Sequence, residues 1–418
     1  MTRQMKTSGV EWIGDIPEKW NAKKFKYIFS IIGGNGFPEN LQGNCKGDYP
    51  FFKCSDINGT EREVLLAKNF VNRNIVDKYK FNIIPSDSIL MAKIGEALKK
   101  NHRKINKKPC IVDNNMQALV FKSYECLMYY HYLSTILDMM WFDNGGTIPS
   151  VNNVKLKNFL LPNPPLSEQK AIADYLDAKC AKIDAFIAKQ KTVIEKLKEY
   201  KQSVITEAVT KGLNPAVPMK TSGVEWIGEI PEKWQILRLK NTVEHINEKT
   251  ESVAQNYICL ENIESWTGHY INQSSGIPEG VSNIFRKNDI LFSKLRPYLA
   301  KCLMADFSGI CSSELLVLRN FKGYSRFLFH LLLSHGFINI VDSSTYGSKM
   351  PRANYSFIGN VEIPYPPLSE QKAIADYLDA KCAKIDAFIA KKQTVIEKMT
   401  EYKKSLIYEC VTGKREIV

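Results

Sequence analysis

The chain has 418 residues, more than one ordinary domain, and its 44% hydrophobic content is enough to bury a sizeable core. Its 57 lysines and arginines against 44 acidic residues give a formal charge of +13, so a polyanion (DNA, RNA or an anionic membrane surface) is the first partner to consider. The most apolar stretches, Leu127 to Phe142 and Phe327 to Val341, are short and broken by His131, Asp138, His330 and His335, which excludes them as membrane spans.

Met1 to Trp12 is polar, without the apolar core of an export signal, so a cytoplasmic chain is expected. The ten cysteines are scattered without a CxxC pair, as reduced, mostly buried thiols would be, and no metal site of usual zinc spacing is expected. Met5 to Trp20 reads MKTSGVEWIGDIPEKW, and Met219 to Trp234 repeats it with one change, Asp15 to Glu229. Pro164 to Lys189 recurs unchanged as Pro366 to Lys391. Between these blocks the copies diverge, yet Ile89, Leu90, Lys93 and Ile94 keep the spacing of Ile290, Leu291, Lys294 and Leu295. Tyr124, Leu133 and Ser134 match Tyr324, Leu333 and Ser334; Gly145, Ile148, Pro149 and Asn152 match Gly347, Met350, Pro351 and Asn354. The chain is two copies of one plan: a short leading motif, a variable globular domain, and a helical segment.

In the helical segments Pro164-Pro165 disfavours helix before it and Ser167 offers an N-cap. Apolar residues then fall in steps of three and four at Ile172, Leu176, Cys180, Ile183, Ile187, Ile194, Leu197, Val204 and Ala208. The second copy gives Ile374, Leu378, Cys382, Ile385, Ile389, Ile396, Met399, Leu406 and Cys410. Gly212 and Gly413 end the pattern as C′ glycines would. Each stripe finds its natural partner in the other, and heptad-like spacing favours a coiled coil. An antiparallel pairing is expected, holding the two variable domains apart in a pseudo-twofold like that of a dimeric DNA reader. Gln190, Lys201, Lys392 and Lys403 interrupt the stripe, either to set register or face a partner protein or, as the favoured expectation, to snorkel to solvent.

These features together identify a resemblance, across essentially the whole chain, to the specificity subunit of type I restriction–modification systems. The paired W-x-G-x-I-P-x-x-W motifs (Trp12 to Trp20, Trp226 to Trp234) and the paired P-P-L-x-E-Q openings at Pro164 and Pro366 carry it. So do the stretches ILFSKLRP at Ile290 to Pro297 and GSKMPRAN at Gly347 to Asn354. The resemblance implies a mixed α+β fold with two target-recognition domains, residues 1–163 and 214–365, separated by two long antiparallel coiled-coil helices in 164–213 and 366–418. It implies a bipartite double-stranded DNA target, one domain per half-site. The implied partners are two modification (methyltransferase) subunits and ATP-dependent restriction subunits. S-adenosylmethionine, ATP and magnesium would act in those partners, with no cofactor in this chain.

Catalytic signatures are missing. Asn163-Pro164-Pro165-Leu166 imitates the NPP[FYWH] motif of adenine methyltransferases, but Leu166 is not the aromatic that would stack on a flipped base, and the repeat has Tyr365 in place of Asn163. Gly33-Gly34-Asn35-Gly36 lacks the GxGxxG spacing and reads as a loop; no P-loop and no HExxH pair occur. DNA contacts are the remaining chemistry. Lys294, Arg296, Tyr298 and Lys301 form one basic, aromatic-bearing run, and Lys349, Arg352 and Asn354 another. In the first domain Lys93, Lys99, Lys100, Arg103 and Lys104 form the basic run, with Asn114, Asn115 and Gln117 as candidate base readers. Arginine can read guanine bidentately and asparagine adenine, whereas lysine often only neutralises phosphate. The expected function is a non-catalytic DNA-reading subunit. A self-contained methyltransferase or nuclease, and a protein-only coiled-coil scaffold, are the rivals.

Overall fold

The computed structural model describes residues 3–59, 61–64, 66–123, 125–251, 256–273 and 280–417; Tyr124, matched above with Tyr324, lies outside them. Two compact units result: residues 1–188 with 395–418, and residues 189–394. Each contains one variable domain, the start of the long helix leaving it, and the end of the other long helix.

In the first unit the central sheet has strands β1 (Phe29–Gly33), β2 (Ile89–Ala92), β3 (Lys104–Ile105) and β4 (Met116–Phe121), in the order β1-β4-β2-β3. In the second unit β5 (Glu244–Ile246), β6 (Ile290–Ser293), β7 (Cys302–Met304) and β8 (Leu315–Arg319) repeat it as β5-β8-β6-β7. All pairs in both sheets are antiparallel. The matched runs Ile89-Leu90 and Ile290-Leu291 lie on β2 and β6, whose residues are all buried. A strand covered on both faces needs such an unbroken apolar run.

In each domain the strand that follows the leading motif pairs with the last strand, Asn21–Lys24 with Leu160–Asn163 and Gln235–Arg238 with Glu362–Tyr365. The chain therefore enters and leaves each domain side by side, directly before a long helix. Asn163 sits in this pairing and accepts a 2.5 Å hydrogen bond from the Tyr130 hydroxyl, a structural position.

The long helices are Leu166–Lys211 and Leu368–Val411, of 46 and 44 residues. Helix begins at Leu166, so Ser167 lies inside the first turn and does not cap it. Gln169 and Gln371 instead reach back, their Nε2 groups donating to the carbonyls of Pro164 and Pro366 at 3.0 and 2.8 Å. In the first unit Ile172, Leu176, Cys180 and Ile183 from one helix share a core with Leu406, Ile407, Cys410 and Val411 from the other. In the second unit Val204, Ile205, Ala208 and Val209 share a core with Ile374, Ala375, Leu378 and Cys382. Start packs on end both times, as antiparallel pairing requires. Ile385 is buried; Ile187 and Ile389 are half-buried.

Two of the lysines in the stripe, Lys201 and Lys403, depart from the snorkelling expectation and act as register-setting residues would. Lys201 Nζ donates to both carboxylate oxygens of Asp386 at 2.9 and 2.7 Å, and Lys403 Nζ to those of Asp184 at 2.7 and 2.6 Å. These are the same pair in each copy of the repeat. Within each unit the Lys–Asp lock fixes the register that apolar spacing leaves free.

Candidate nucleic-acid interface

The shared motifs fasten each domain to helix. Trp20 Nε1 donates to Glu168 Oε2 at 2.8 Å in the first unit, as Trp234 Nε1 does to Glu370 Oε2 at 2.8 Å in the second. The Gln169 and Gln371 carbonyl oxygens accept the backbone N–H of Cys126 and Tyr324 at 2.9 and 2.8 Å. Two turns further on, Asp177 takes a hydrogen bond from Tyr132 at 2.6 Å and pairs with Arg62 at 2.8 Å. Its repeat Asp379 takes His330 at 2.8 Å and both ends of Arg326 at 2.6 and 2.8 Å. Burial alone would raise the Asp379 carboxyl, but these donors outweigh it and bring it down to about 2. His330 is thus part of the fastening.

On the second domain, β6 runs into Lys294-Leu295-Arg296, and the segment Tyr346 to Asn354 crosses it. Leu295 bridges Arg352, the Arg296 N–H donates to Pro351 O at 2.7 Å, and Ala353 N–H to Lys294 O at 2.9 Å. Tyr346 and Arg352 exchange backbone hydrogen bonds at 3.1 Å. The Arg352 guanidinium is held by Glu314, with Nη2 at 3.0 Å and Nε at 3.1 and 3.2 Å. Around this crossing Tyr298, Tyr346, Lys349 and Met350 are exposed.

The first domain builds the same crossing from other residues. The Gly95 N–H donates to Pro149 O at 2.8 Å, Val151 N–H to Lys93 O at 2.9 Å, and Ile94 bridges Ser150. Asp143, its carboxyl lowered chiefly by the Ser150 N–H, takes Glu314's place as organiser. Trp141, Ile148 and Val154 are exposed here, beside Asn144, Thr147, Lys155 and Lys157, so the exposed side chains differ from those of the other crossing.

The predicted contact residues therefore divide. Lys93, Lys294 and Arg296 are half-buried on the crossings; Tyr298 and Lys349 stand exposed beside one, and Asn114 and Asn115 are exposed on the turn before β4. Lys99 is exposed but pairs with Glu96 at 2.6 Å. Lys301 donates to Leu260 O at 2.5 Å, and Asn354 caps the short helix after it by accepting from Ser356 N–H. Gln117 and Arg103 are corrections. Gln117 is 0% exposed and accepts from Asn153 Nδ2 at 3.1 Å; Arg103 is 6% exposed, bonded to His102 O and Asn101 Oδ1, and burial pulls its guanidinium down to about 10. Lys104 is buried as well, bonded to Glu61 O. A spaced run of basic residues cannot reveal which of them a strand alternation turns inward. The roles of Glu168, Gln169, Asp177 and their repeats escaped the sequence reading, although exact repetition of those residues between diverged domains was the available signal.

The second unit also contains a groove of about 1490 Å³, lined by Ile194, Gln202, Thr206, Trp226, Trp266 and His335 among others. Gln202 Oε1, Thr206 Oγ1 and Trp226 Nε1 are buried there without hydrogen-bond partners. In the first unit Tyr408 occupies the repeat position of Thr206 and donates to Trp12 O at 3.0 Å, while Trp12 Nε1 donates to Leu160 O at 3.2 Å. In the first unit the hydroxyl and the indole N–H thus each find a backbone carbonyl, whereas the Thr206 hydroxyl and the Trp226 indole N–H of the second unit find none.

Among the described residues no group of three His, Cys, Asp or Glu side chains is placed to hold a metal, and no helix is long and apolar enough to cross a membrane. The family model for the type I restriction modification DNA specificity domain matches twice, at residues 17–196 and 231–398. A relative, the type I restriction enzyme EcoDI specificity subunit of Escherichia coli, is 23% identical over 96% of this chain and 90% of its own length. Another, the MjaVIII specificity subunit of Methanocaldococcus jannaschii, is 29% identical over 65% of each chain. A solved chain from work on complex assembly and conformational transition of the type I R-M system aligns with a TM-score of 0.69 over 96% of this chain and 99% of its own, at 15% identity, a likeness of fold. With two DNA specificity domains, each fastened to paired long helices, the chain belongs to the specificity subunits of type I restriction–modification systems.

Proposed function

We propose that this subunit is itself non-catalytic, reads a bipartite double-stranded DNA target with one unit per half-site, and docks modification and restriction subunits that hold S-adenosylmethionine, ATP and magnesium. One observation carries the reading: the same backbone crossing occurs in both units with unlike side chains, Gly145 to Ser150 in one and Gly347 to Arg352 in the other. A scaffold conserved in hydrogen bonds and varied in exposed chemistry is what two readers of different half-sites need. Lys93, Asn114, Asn115, Lys294, Arg296, Tyr298 and Lys349 are the proposed contacts. The groove with its unpartnered indole N–H, hydroxyl and amide oxygen is the proposed place where a partner subunit adds its own polar groups.

The test is co-expression with a type I modification subunit, followed by mapping of methylated adenines over a genome. A split consensus of two unlike half-sites with an unread gap is the expected result. A continuous consensus, or methylation by the purified chain with S-adenosylmethionine alone, would reject the proposal.

A further inference from the structure

We propose that Arg296 is the residue through which the second unit recognises a guanine in its half-site. The inference rests on the DNA-reading function proposed above and singles out one side chain within it.

The argument begins at the backbone. Gly95 in the first unit and Arg296 in the second occupy the same place: each follows the matched Lys-Ile or Lys-Leu pair, and each donates its N–H to the matched proline carbonyl. Gly95 has φ +78, and Arg296 has φ +50 with ψ +61. Both have positive φ, but Gly95, with ψ −167, lies in a region open essentially to glycine alone, whereas Arg296 lies in the left-handed region, which an arginine adopts only under strain. The first copy shows that glycine serves this crossing, so the fold does not require a side chain here. A long charged residue held at a glycine position, against its own backbone preference, points to what the side chain does.

The side chain is also uncommitted. No hydrogen bond or ion pair of its guanidinium occurs among the described residues, and its Nε is buried with no partner. Arg352, the other arginine of the crossing, is by contrast bound to Glu314 through two nitrogens and braces the loop. Tyr298 and Tyr346, 45% and 63% exposed, stand nearby in the sequence of the same two segments. An arginine with free donors, on a rigid crossing flanked by exposed aromatics, matches the two-acceptor edge that guanine presents in the major groove through N7 and O6.

The experiment selects duplexes from a pool randomised across the target, using the full chain, and compares it with Arg296→Gly and Arg296→Asn. Both substitutes tolerate the left-handed backbone, so melting temperatures should be unchanged or higher. The wild type should give a split consensus with a guanine that both variants lose, with preference at that position falling about 5- to 150-fold while the other half-site is kept. An unchanged consensus, or an equal loss of affinity for all sequences as a phosphate contact would give, overturns the assignment. A wild-type chain that selects no consensus at all fails differently, because it removes the DNA-reading function itself. A variant whose melting temperature falls shows that the side chain serves the fold and equally overturns the inference.

Discussion

The two Lys–Asp locks between the long helices offer an internal control for what burial does to an ion pair. The Lys201 and Asp386 side chains are 8% and 24% exposed, whereas those of Lys403 and Asp184 are 28% and 56% exposed. Residue types, spacing and hydrogen-bond lengths are alike, so solvent is the variable that differs. Removing one partner of a buried pair typically costs about 3–5 kcal/mol because the other charge is stranded, while exposed pairs contribute about 0–1 kcal/mol. With Asp386 retaining some solvent contact, Asp386→Ala should cost about 2–4 kcal/mol and Asp184→Ala less than about 1 kcal/mol. For a cooperative unit of roughly 200 residues this is a fall in Tm of roughly 5–15 °C against at most roughly 4 °C. Differential scanning calorimetry of the full chain would read both. The double change Lys201→Met with Asp386→Leu should restore most of the loss, since apolar side chains of similar size replace a buried pair at little cost. Equal costs for the two single changes would show that the locks do not differ in solvation and would refute the argument.

Further outcomes follow from the same geometry. His131 is buried, and burial lowers its pKa to about 4 from an unfolded value near 6.5. Its folded pKa is depressed, so its contribution is complete above pH ~6.5 and is lost as pH falls towards ~4; His131→Leu should flatten that part of a stability–pH curve for the first unit. Gly413→Ala places a Cβ 2.4 Å from Pro17 Cδ at a φ of +76, and should cost about 1–3 kcal/mol by denaturant titration. Thr206→Tyr, copying Tyr408, should fill the groove of the second unit and weaken co-purification of a modification subunit without lowering Tm. Arg352→Gln should lower Tm while leaving the base preferences intact, because the guanidinium is occupied with Glu314.

Much of the plan was legible because duplication supplies its own comparison. Repeated blocks that survive between diverged domains mark what both copies need, and the apolar stripe from Ile172 to Ala208 has a period that only a helix satisfies. The expected helix ends at Gly212 and Gly413 have positive φ as C′ glycines do. The stripe alone did not reveal Ile205 and Val209, or Ile407 and Val411, which are buried because a domain as well as a helix packs over the last turns. Nor could charge pattern separate Arg103 and Lys104, buried around β3, from Lys93, half-buried on the crossing. Electrostatics read along a sequence gives the sign of a surface; which side chains form that surface is decided by sheet pairing between segments distant in the chain.

Helix length is the remaining quantity with a functional consequence, and the locks make it testable. The residue numbers of Lys201 and Asp386 add to the same total as those of Asp184 and Lys403, so one antiparallel alignment of the two helix sequences matches both pairs. Deleting seven residues from each helix between its two lock positions preserves that equality and, being two turns, keeps the apolar stripe on one face. Deleting them from one helix alone makes the two locks incompatible, so that one Lys–Asp pair must break. We propose that the helices set the gap between half-sites, so the paired deletion, about 10.5 Å at about 1.5 Å per residue, should shorten the unread gap by about 3 base pairs. The single deletion should instead cost stability, by an amount close to that of Asp386→Ala or of Asp184→Ala according to which lock is lost. Selection from duplexes with variable spacers distinguishes the outcomes, and a paired deletion that still prefers the original gap would show that something other than helix length fixes the spacing.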